Sequence, residues 1–334
     1  TTIRDPHFVM YVKEILEERY GPRLVAQGGL RVHTTLDSAL QERTEEIVKT
    51  HVEGLRTLRV GNGAALVTNP KTGEILAMVG SKNYFDIASQ GNVNVTTSLQ
   101  QPGSAIKVVT YAGALEHGFT AATLLSDTPV AFPTQGGPTY APLNYDGRFH
   151  GIVPLRYALG NSYNVPAVKT LATIGLSTMI EKGRSMGIAS WQDESRYGLS
   201  LTLGGGEVTM LEMASVYGSL ANRGERVDLN PIREVSDYTG RLLEKASPTS
   251  HEAVKPEVAW ILGNILSDNN ARTSAFGPNS LLVIPGKTVV VKTGTSNDLR
   301  DNWTFGYTPD YLVAVWVGNN DNSPMSRVTS GITG

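Results

Sequence analysis

The sequence predicts an α/β protein of the α+β kind, with an antiparallel sheet covered by helices and an all-α lobe beside it. Three observations carry this. Ala64-Ala65-Leu66-Val67-Thr68 and Glu74-Ile75-Leu76-Ala77-Met78-Val79 are apolar runs separated by Asn69-Pro70-Lys71-Thr72-Gly73, the signature of a hairpin of two buried strands. Similar runs return only near the other end, at 289–291, 303–307 and 311–317, so one sheet is assembled from both ends of the domain. Between them, from Ser104 to about Leu281, helical signals dominate, at 155–159, 167–174, 210–221 and 258–266. Strands flanking a long helical insert give a layer and a lobe, with a cleft where they meet.

Taken in order, Pro6 opens a first helix through Phe8, Val12, Ile15 and Leu16 that stops at Gly21-Pro22, with proline at the start and glycine at the end. Leu30 to Thr35 reads as a strand. Asp37 or Ser38 then caps a helix carrying Leu40, Ile47, Val48 and Val52, and Ser38 with Gln41 fits a capping box. Residues 61–103 and 284–334 are assigned to the sheet layer and 104–283 to the mainly helical part. The clusters at Gln135 to Pro138 and Gly204 to Gly206 read as loops, and no internal repeat is visible.

A chain of 334 residues with 40% hydrophobic side chains can bury a sizeable core. Lys and Arg total 29 against 31 for Asp and Glu, so nothing in the bulk charge attracts nucleic acid or an anionic membrane. There is no cysteine, and none of the six histidines forms a close ligand pair, so no metal and no cofactor are expected. No apolar run approaches the roughly 18 residues that cross a bilayer. The chain begins at Thr1 and ends at Gly334 within a polar stretch, and is read as part of a longer protein whose anchor lies elsewhere.

The chemistry centres on Gln100-Gln101-Pro102-Gly103-Ser104-Ala105-Ile106-Lys107. Three residues is close to one helical turn, so Ser104 and Lys107 are expected on one face, a nucleophile beside a base. Pro102 and Gly103 resist helix continuation upstream, which places Ser104 in the first turn, where free N–H groups stabilise an oxyanion. Asn161-Ser162-Tyr163-Asn164 adds a second hydroxyl with an amide two residues on; alone, such a stretch is frequent in turns. Lys292-Thr293-Gly294-Thr295 follows an apolar strand, and suits an edge that binds a carboxylate and an extended peptide. Two stretches imitate these: Lys71-Thr72-Gly73 is assigned to the hairpin turn, and Ser267-Asp268-Asn269 to the end of a helix.

Together, S-x-x-K at Ser104, S-x-N at Ser162 and K-T-G at Lys292, in that order, resemble the penicillin-binding protein and serine β-lactamase superfamily. Pro6 to Val9, Arg31 to Asp37, Asn69 to Gly80, Asn144 to Gly147, Asn161 to Val168, Leu203 to Met213 and Lys292 to Asn320 extend the resemblance to class A penicillin-binding proteins. The chain departs from the family in carrying Ile106 and Val108 around the motif lysine. The resemblance implies a β-lactamase/transpeptidase-like fold, with residues 1–60 a linker after a missing glycosyltransferase domain and 61–334 the transpeptidase domain.

By the same resemblance, Ser104 forms an acyl-enzyme with a peptidoglycan stem peptide and releases terminal D-Ala; the acyl group then passes to an acceptor amine or, in carboxypeptidation, to water. Lys107 is its base, Ser162 relays a proton, Asn164 holds the substrate amide, Lys292, Thr293 and Thr295 bind the terminal carboxylate, and Gly294 belongs to the same substrate-binding strand. The N–H groups of Ser104 and Thr295 form the oxyanion hole. β-Lactam antibiotics are expected to acylate the same serine. The implied setting is the bacterial cell envelope, on the outer face of the cytoplasmic membrane, in a cell-wall synthesis complex. A serine β-lactamase and a non-enzymatic β-lactam sensor remain the alternatives. None of the glutamates between Ser162 and Lys292 has asparagine four residues on, as a class A β-lactamase requires.

Overall fold

In the computed structural model, which describes residues 3–134 and 137–326, helix α1 (Pro6–Tyr20) starts on Pro6 and ends at Gly21, whose φ of 80° leaves the helical region. A short α2 (Pro22–Gln27), not expected from the sequence, follows before β1 (Arg31–Thr34). Helix α3 (Ser38–Gly54) is capped by Asp37, whose carboxylate accepts from the Leu40 N–H at 3.0 Å. The expected Ser38–Gln41 box does not form. Gln41 is buried and pairs instead with both backbone groups of Met78, at 2.8 and 3.1 Å, which satisfies a sheet edge that water cannot reach.

Strands β2 (Asn62–Thr68) and β3 (Ile75–Val79) form the expected hairpin, and Lys71-Thr72-Gly73 is its turn. Every residue of β2 is buried, because the sheet is covered on both faces. Ala65, Val79 and Val317 meet Val48 and Val52 of α3 on one face, while Ala64 and Leu66 join the main core on the other.

The insert begins with a 3-10 turn (Gly103–Ile106) and α4 (Lys107–Glu116), buried from Lys107 to Leu115. Next come the β4 (Leu124–Asp127) and β5 (Gly151–Pro154) pair, then α5 (Leu155–Gly160), α6 (Asn164–Ile174), α7 (Leu176–Met186) and α8 (Met210–Ala221). The cap of α8 is a complete Thr209–Glu212 box. Strands β6 (Glu225–Val227), β7 (Ile232–Ser236), β8 (Leu242–Lys245) and β9 (Ser250–Glu252) precede α9 (Pro256–Ser267) and α10 (Thr273–Phe276). Strands β4 to β9 were not anticipated: at three to five residues each they carry too little periodicity to be seen. β7 pairs with both β1 and β8, and thereby ties the first residues of the chain to its middle.

The chain closes with β10 (Val290–Thr295), β11 (Asp301–Tyr307) and β12 (Leu312–Gly318). The five-stranded sheet runs β10-β11-β12-β2-β3, and all its pairs are antiparallel. β12 lies against β2 with Leu312 opposite Thr68 and Gly318 opposite Asn62, so the two ends of the domain do meet in one sheet. β10 is left at the edge. Gln135 and Gly136 of the anticipated loop, and the stretch beyond residue 326, lie outside the described residues.

Candidate active site

Ser104 sits in the 3-10 turn that leads into α4, not in the α-helix proper. The turn is pressed onto the edge strand by missing side chains. A Cβ on Gly103, which has φ of 54°, would lie 2.3 Å from the Thr295 carbonyl oxygen, and one on Gly294 would lie 2.3 Å from that of Pro102. Glycine at both positions lets the Ser104 turn touch the Thr295 peptide, bringing together the two segments expected to form the oxyanion hole. Two distant side chains pin it: the Trp303 indole N–H donates to Gln101 O at 2.9 Å, and the Tyr217 hydroxyl to Ala105 O at 2.7 Å. Tyr217 stacks on Phe305 at 4.6 Å, and Phe305 faces Lys292 across the ladder.

Lys107 is fully buried and its amine reaches the second motif. It donates to Ser162 O at 2.6 Å and Asn164 Oδ1 at 2.7 Å, and lies 3.4 Å from Ser162 Oγ. The sequence put this amine within reach of the Ser104 side chain; the hydrogen bonds that fix it, among the described residues, run to Ser162 and Asn164. Lys292 donates to Ser162 Oγ at 2.9 Å and to Thr293 O at 2.7 Å. Ser162 adopts φ of 58°, and this left-handed backbone holds its hydroxyl between the two amines. Burial, and then the neighbouring Lys292, push the Lys107 amine well below the usual lysine range. Burial, and then Arg272, bring Lys292 down to about 7. Removing a cation from water is costly unless an anion accompanies it, and the hydrogen-bond acceptors of these two amines are neutral oxygens.

Asn164 opens α6, and a buried network holds it there. Asn144 Oδ1 accepts from the N–H groups of Asn164 and Val165 at 2.8 and 3.2 Å, while its Nδ2 donates to both oxygens of Asp127 at 2.9 and 2.8 Å. Asp127 is wholly buried and also faces His150 Nδ1 at 2.7 Å, and the His150 ring stacks on Tyr163 at 4.0 Å. On the other side, Asn161 donates to Ala271 O at 2.9 Å and accepts from the Ala275 N–H at 2.8 Å. Motif spacing did not reveal Tyr217 or Asp127. Asn144, Asn161 and Trp303 were visible only within family-like stretches.

These elements bound a cleft of about 600 Å³ lined by Ser104, Ser162, Asn164, Thr293, Gly294 and Thr295. Lys107 and Lys292 lie buried behind those surfaces. A groove of about 680 Å³ lies elsewhere, beside β7 and β8, but its Arg, Lys, Asp and Glu side chains are paired, as Arg19–Glu244, Arg233–Glu74, Lys245–Glu234 and Arg226–Asp228, and it holds no such amine and hydroxyl cluster. The two imitations stay away from the cleft. Lys71 pairs with Asp310 at 2.7 Å on the surface, and Asp268 ends α9 and bonds Arg156 at 3.2 Å.

A hydroxyl on a tight turn, a second hydroxyl between two depressed amines and an open strand edge define a serine acyl-transfer site on an α+β scaffold. The penicillin binding protein transpeptidase domain family matches residues 63–331, and the chain belongs to that family. Penicillin-binding protein 1A of Neisseria meningitidis is 35% identical over 279 residues, covering 81% of this chain and 34% of that protein. Penicillin-binding protein 1B of Vibrio cholerae is 30% identical over 325 residues, covering 96% and 41%. The chain thus spans 34% to 41% of the length of these relatives. Penicillin-binding protein 1A from Haemophilus influenzae shares the fold with a TM-score of 0.82 at 21% identity, covering 99% of this chain and 68% of that one. The PonA1 protein of Mycobacterium tuberculosis in complex with penicillin V gives 0.81 at 22%, covering 98% and 89%.

Proposed function

We propose that Ser104 is the nucleophile of a D-Ala-D-Ala transpeptidase. Its Oγ attacks the carbonyl carbon between the last two D-alanines of a stem peptide, and its proton passes to the neutral Lys107 amine. The tetrahedral oxyanion is held by the N–H groups of Ser104 and Thr295. The C–N bond then breaks, and the leaving D-alanine amine takes a proton from Ser162, which Lys292 replenishes. An acceptor amine attacks the resulting ester, forming the cross-link and giving its own proton to Ser104, while the proton left on Lys107 crosses Ser162 to Lys292 and restores both amines; water in place of the amine gives carboxypeptidation. Lys292, Thr293 and Thr295 hold the terminal carboxylate, and Asn164 the peptide amide. The observation that carries this reading is the pair of buried amines, both within reach of Ser162, with no carboxylate among their hydrogen-bond partners.

In this reading a β-lactam ring is opened by the same attack and its acyl group stays on Ser104; the PonA1 protein, which shares the fold, binds penicillin V. Residues 1–60 would be the segment following a glycosyltransferase domain and 61–334 the transpeptidase domain of a protein held at the outer face of the cytoplasmic membrane. The test is intact mass after penicillin, followed over time, with the modified peptide located. A stable adduct of one penicillin on Ser104, lost in Ser104→Ala, is expected. Persistent labelling of Ser104→Ala would exclude this nucleophile, and rapid loss of the adduct would identify a β-lactamase.

A further inference from the structure

Arg272 is a buried cation with no counter-charge in contact. It is 4% exposed, and its Nε is wholly buried with no hydrogen-bond partner. Asp268, the carboxylate whose field reaches it, is already bonded to Arg156 at 3.2 Å, and no ion pair of Arg272 occurs among the described residues. A guanidinium does not lose its proton in a protein, so this charge is permanent and its burial is a standing cost. Arg272 lines a cavity of about 10 Å³, the room of one water, with Lys292, Thr293, Phe276, Leu282 and Gly160. The cavity lies behind the K-T-G strand, so Arg272 sits next to the lysine whose amine bonds Ser162.

We propose that Arg272 is a positioning residue: a fixed positive charge behind Lys292 that opposes protonation of that lysine in the empty site, until the donor's carboxylate arrives and offsets both charges. The inference rests on the reading of Ser104 as nucleophile. Two buried cations side by side repel, and the one able to yield its proton is the lysine. Burial and then the Arg272 charge both lower Lys292. Other charged groups on the elements packed around Lys292 do not replace this role. Lys107, at the start of α4, is itself depressed. Asp301 of β11 is held by Ser296 and Trp316 at the far end of the ladder. Asp298 is exposed in the loop after β10, and Glu257 is exposed at the opposite end of α9 from Asp268. An anion bound at Thr293 and Thr295 would compensate Lys292 and Arg272 together, which couples carboxylate binding to the proton that Ser162 needs.

The test is the rate of penicillin acylation across pH 5.5 to 10, by intact mass, in the wild type, Arg272→Gln, Arg272→Met and Arg272→Lys. The inflection belongs to the Lys107–Lys292 pair. It is expected to move up by roughly one pH unit in both charge-removing variants, whichever protonation state reacts, and to fall between these and the wild type in Arg272→Lys. Removing an unpaired buried charge also should not lower the denaturation midpoint. A uniform fall in rate at every pH with the inflection unmoved, or failure of both charge-removing variants to fold, would make Arg272 a structural residue and overturn the proposal. An unlabelled wild type would instead remove the Ser104 reading, and this inference with it.

Discussion

The chain carries Lys-Thr-Gly twice, and the two copies end in opposite environments. Lys71-Thr72-Gly73 lies at the turn between β2 and β3, where Lys71 is largely exposed and pairs with Asp310, and Gly73 is present because its φ is 72°. Lys292-Thr293-Gly294 lies within the edge strand β10; Lys292 is 4% exposed and bonded to Ser162, and Gly294 is present because Pro102 O approaches too closely for a side chain. The same letters therefore bring a solvated cation in one place and an amine poised near neutrality in the other. Burial against the Ser104 turn makes the difference.

Exchanging the two lysines for alanine gives the widest separation. Lys292→Ala removes a donor to Ser162 at the reacting end, and penicillin acylation is expected to slow by roughly 10² to 10⁴-fold, the range for a group that moves a proton. Lys71→Ala breaks one exposed ion pair worth less than about 1 kcal/mol, and the acylation rate should not change. Equal losses in the two variants, measured as second-order rate constants, would erase the distinction.

The glycines separate next, in two different readouts. In Gly294→Ala the new Cβ would stand 2.3 Å from Pro102 O and 2.9 Å from Ala105 N, so the Ser104 turn must retreat. A displacement of about 1 Å at a nucleophile can cost about 10²-fold in rate. In Gly73→Ala the Cβ would meet Asp228 O at 2.1 Å on a backbone of positive φ, and about 1–3 kcal/mol of stability should be lost, with acylation by the folded protein intact. Denaturant titration beside acylation kinetics distinguishes the two, and a Gly294→Ala protein that reacts at the wild-type rate would show that the turn has slack.

The large sheet was legible in the sequence because β2, β3 and β12 are largely apolar runs, the first two closed by a turn. The strands between β4 and β9 were not, since each is short and depends on a distant partner, as β7 does on β1. In the site, the three motifs name Ser104, Ser162, Asn164 and Thr293 to Thr295, which line the cleft, but spacing does not show that the Lys107 amine, expected within reach of Ser104, also bonds Ser162 and Asn164, more than fifty residues on. Tyr217 and Trp303 hold the Ser104 turn from 112 and 202 residues away. Nothing local marks such contacts, because they are set by which elements pack together. Arg272 escaped for the same reason, its meaning arising only from Lys292 across the cavity.

The smallest expected effect concerns stability, and again divides the two lysines. Lys292 is near 7 in the folded chain and near 10.5 when unfolded, so between these values the unfolded chain binds a proton that the folded one does not. Stability therefore rises with pH from about 7 toward 10, and the contribution is lost as pH falls through 7. Lys107 adds a slope of the same sign. Above about pH 10 the trend is opposed by Tyr217 and Tyr307, which burial raises above the ordinary range. Lys292→Met should flatten the rise between pH 7 and 10 by removing one of its two lysine contributors. It should also stabilise the protein at pH 7 by about 1 kcal/mol, as an apolar side chain replaces a buried cation without an anion, while acylation collapses as in Lys292→Ala. Lys71→Met should change neither the slope nor the midpoint. A Lys292→Met protein less stable than the wild type at pH 7 would mean that the bonds to Ser162 and Thr293 outweigh the burial of the amine, and that the active lysine is held in place by its own contacts and not merely tolerated for its chemistry.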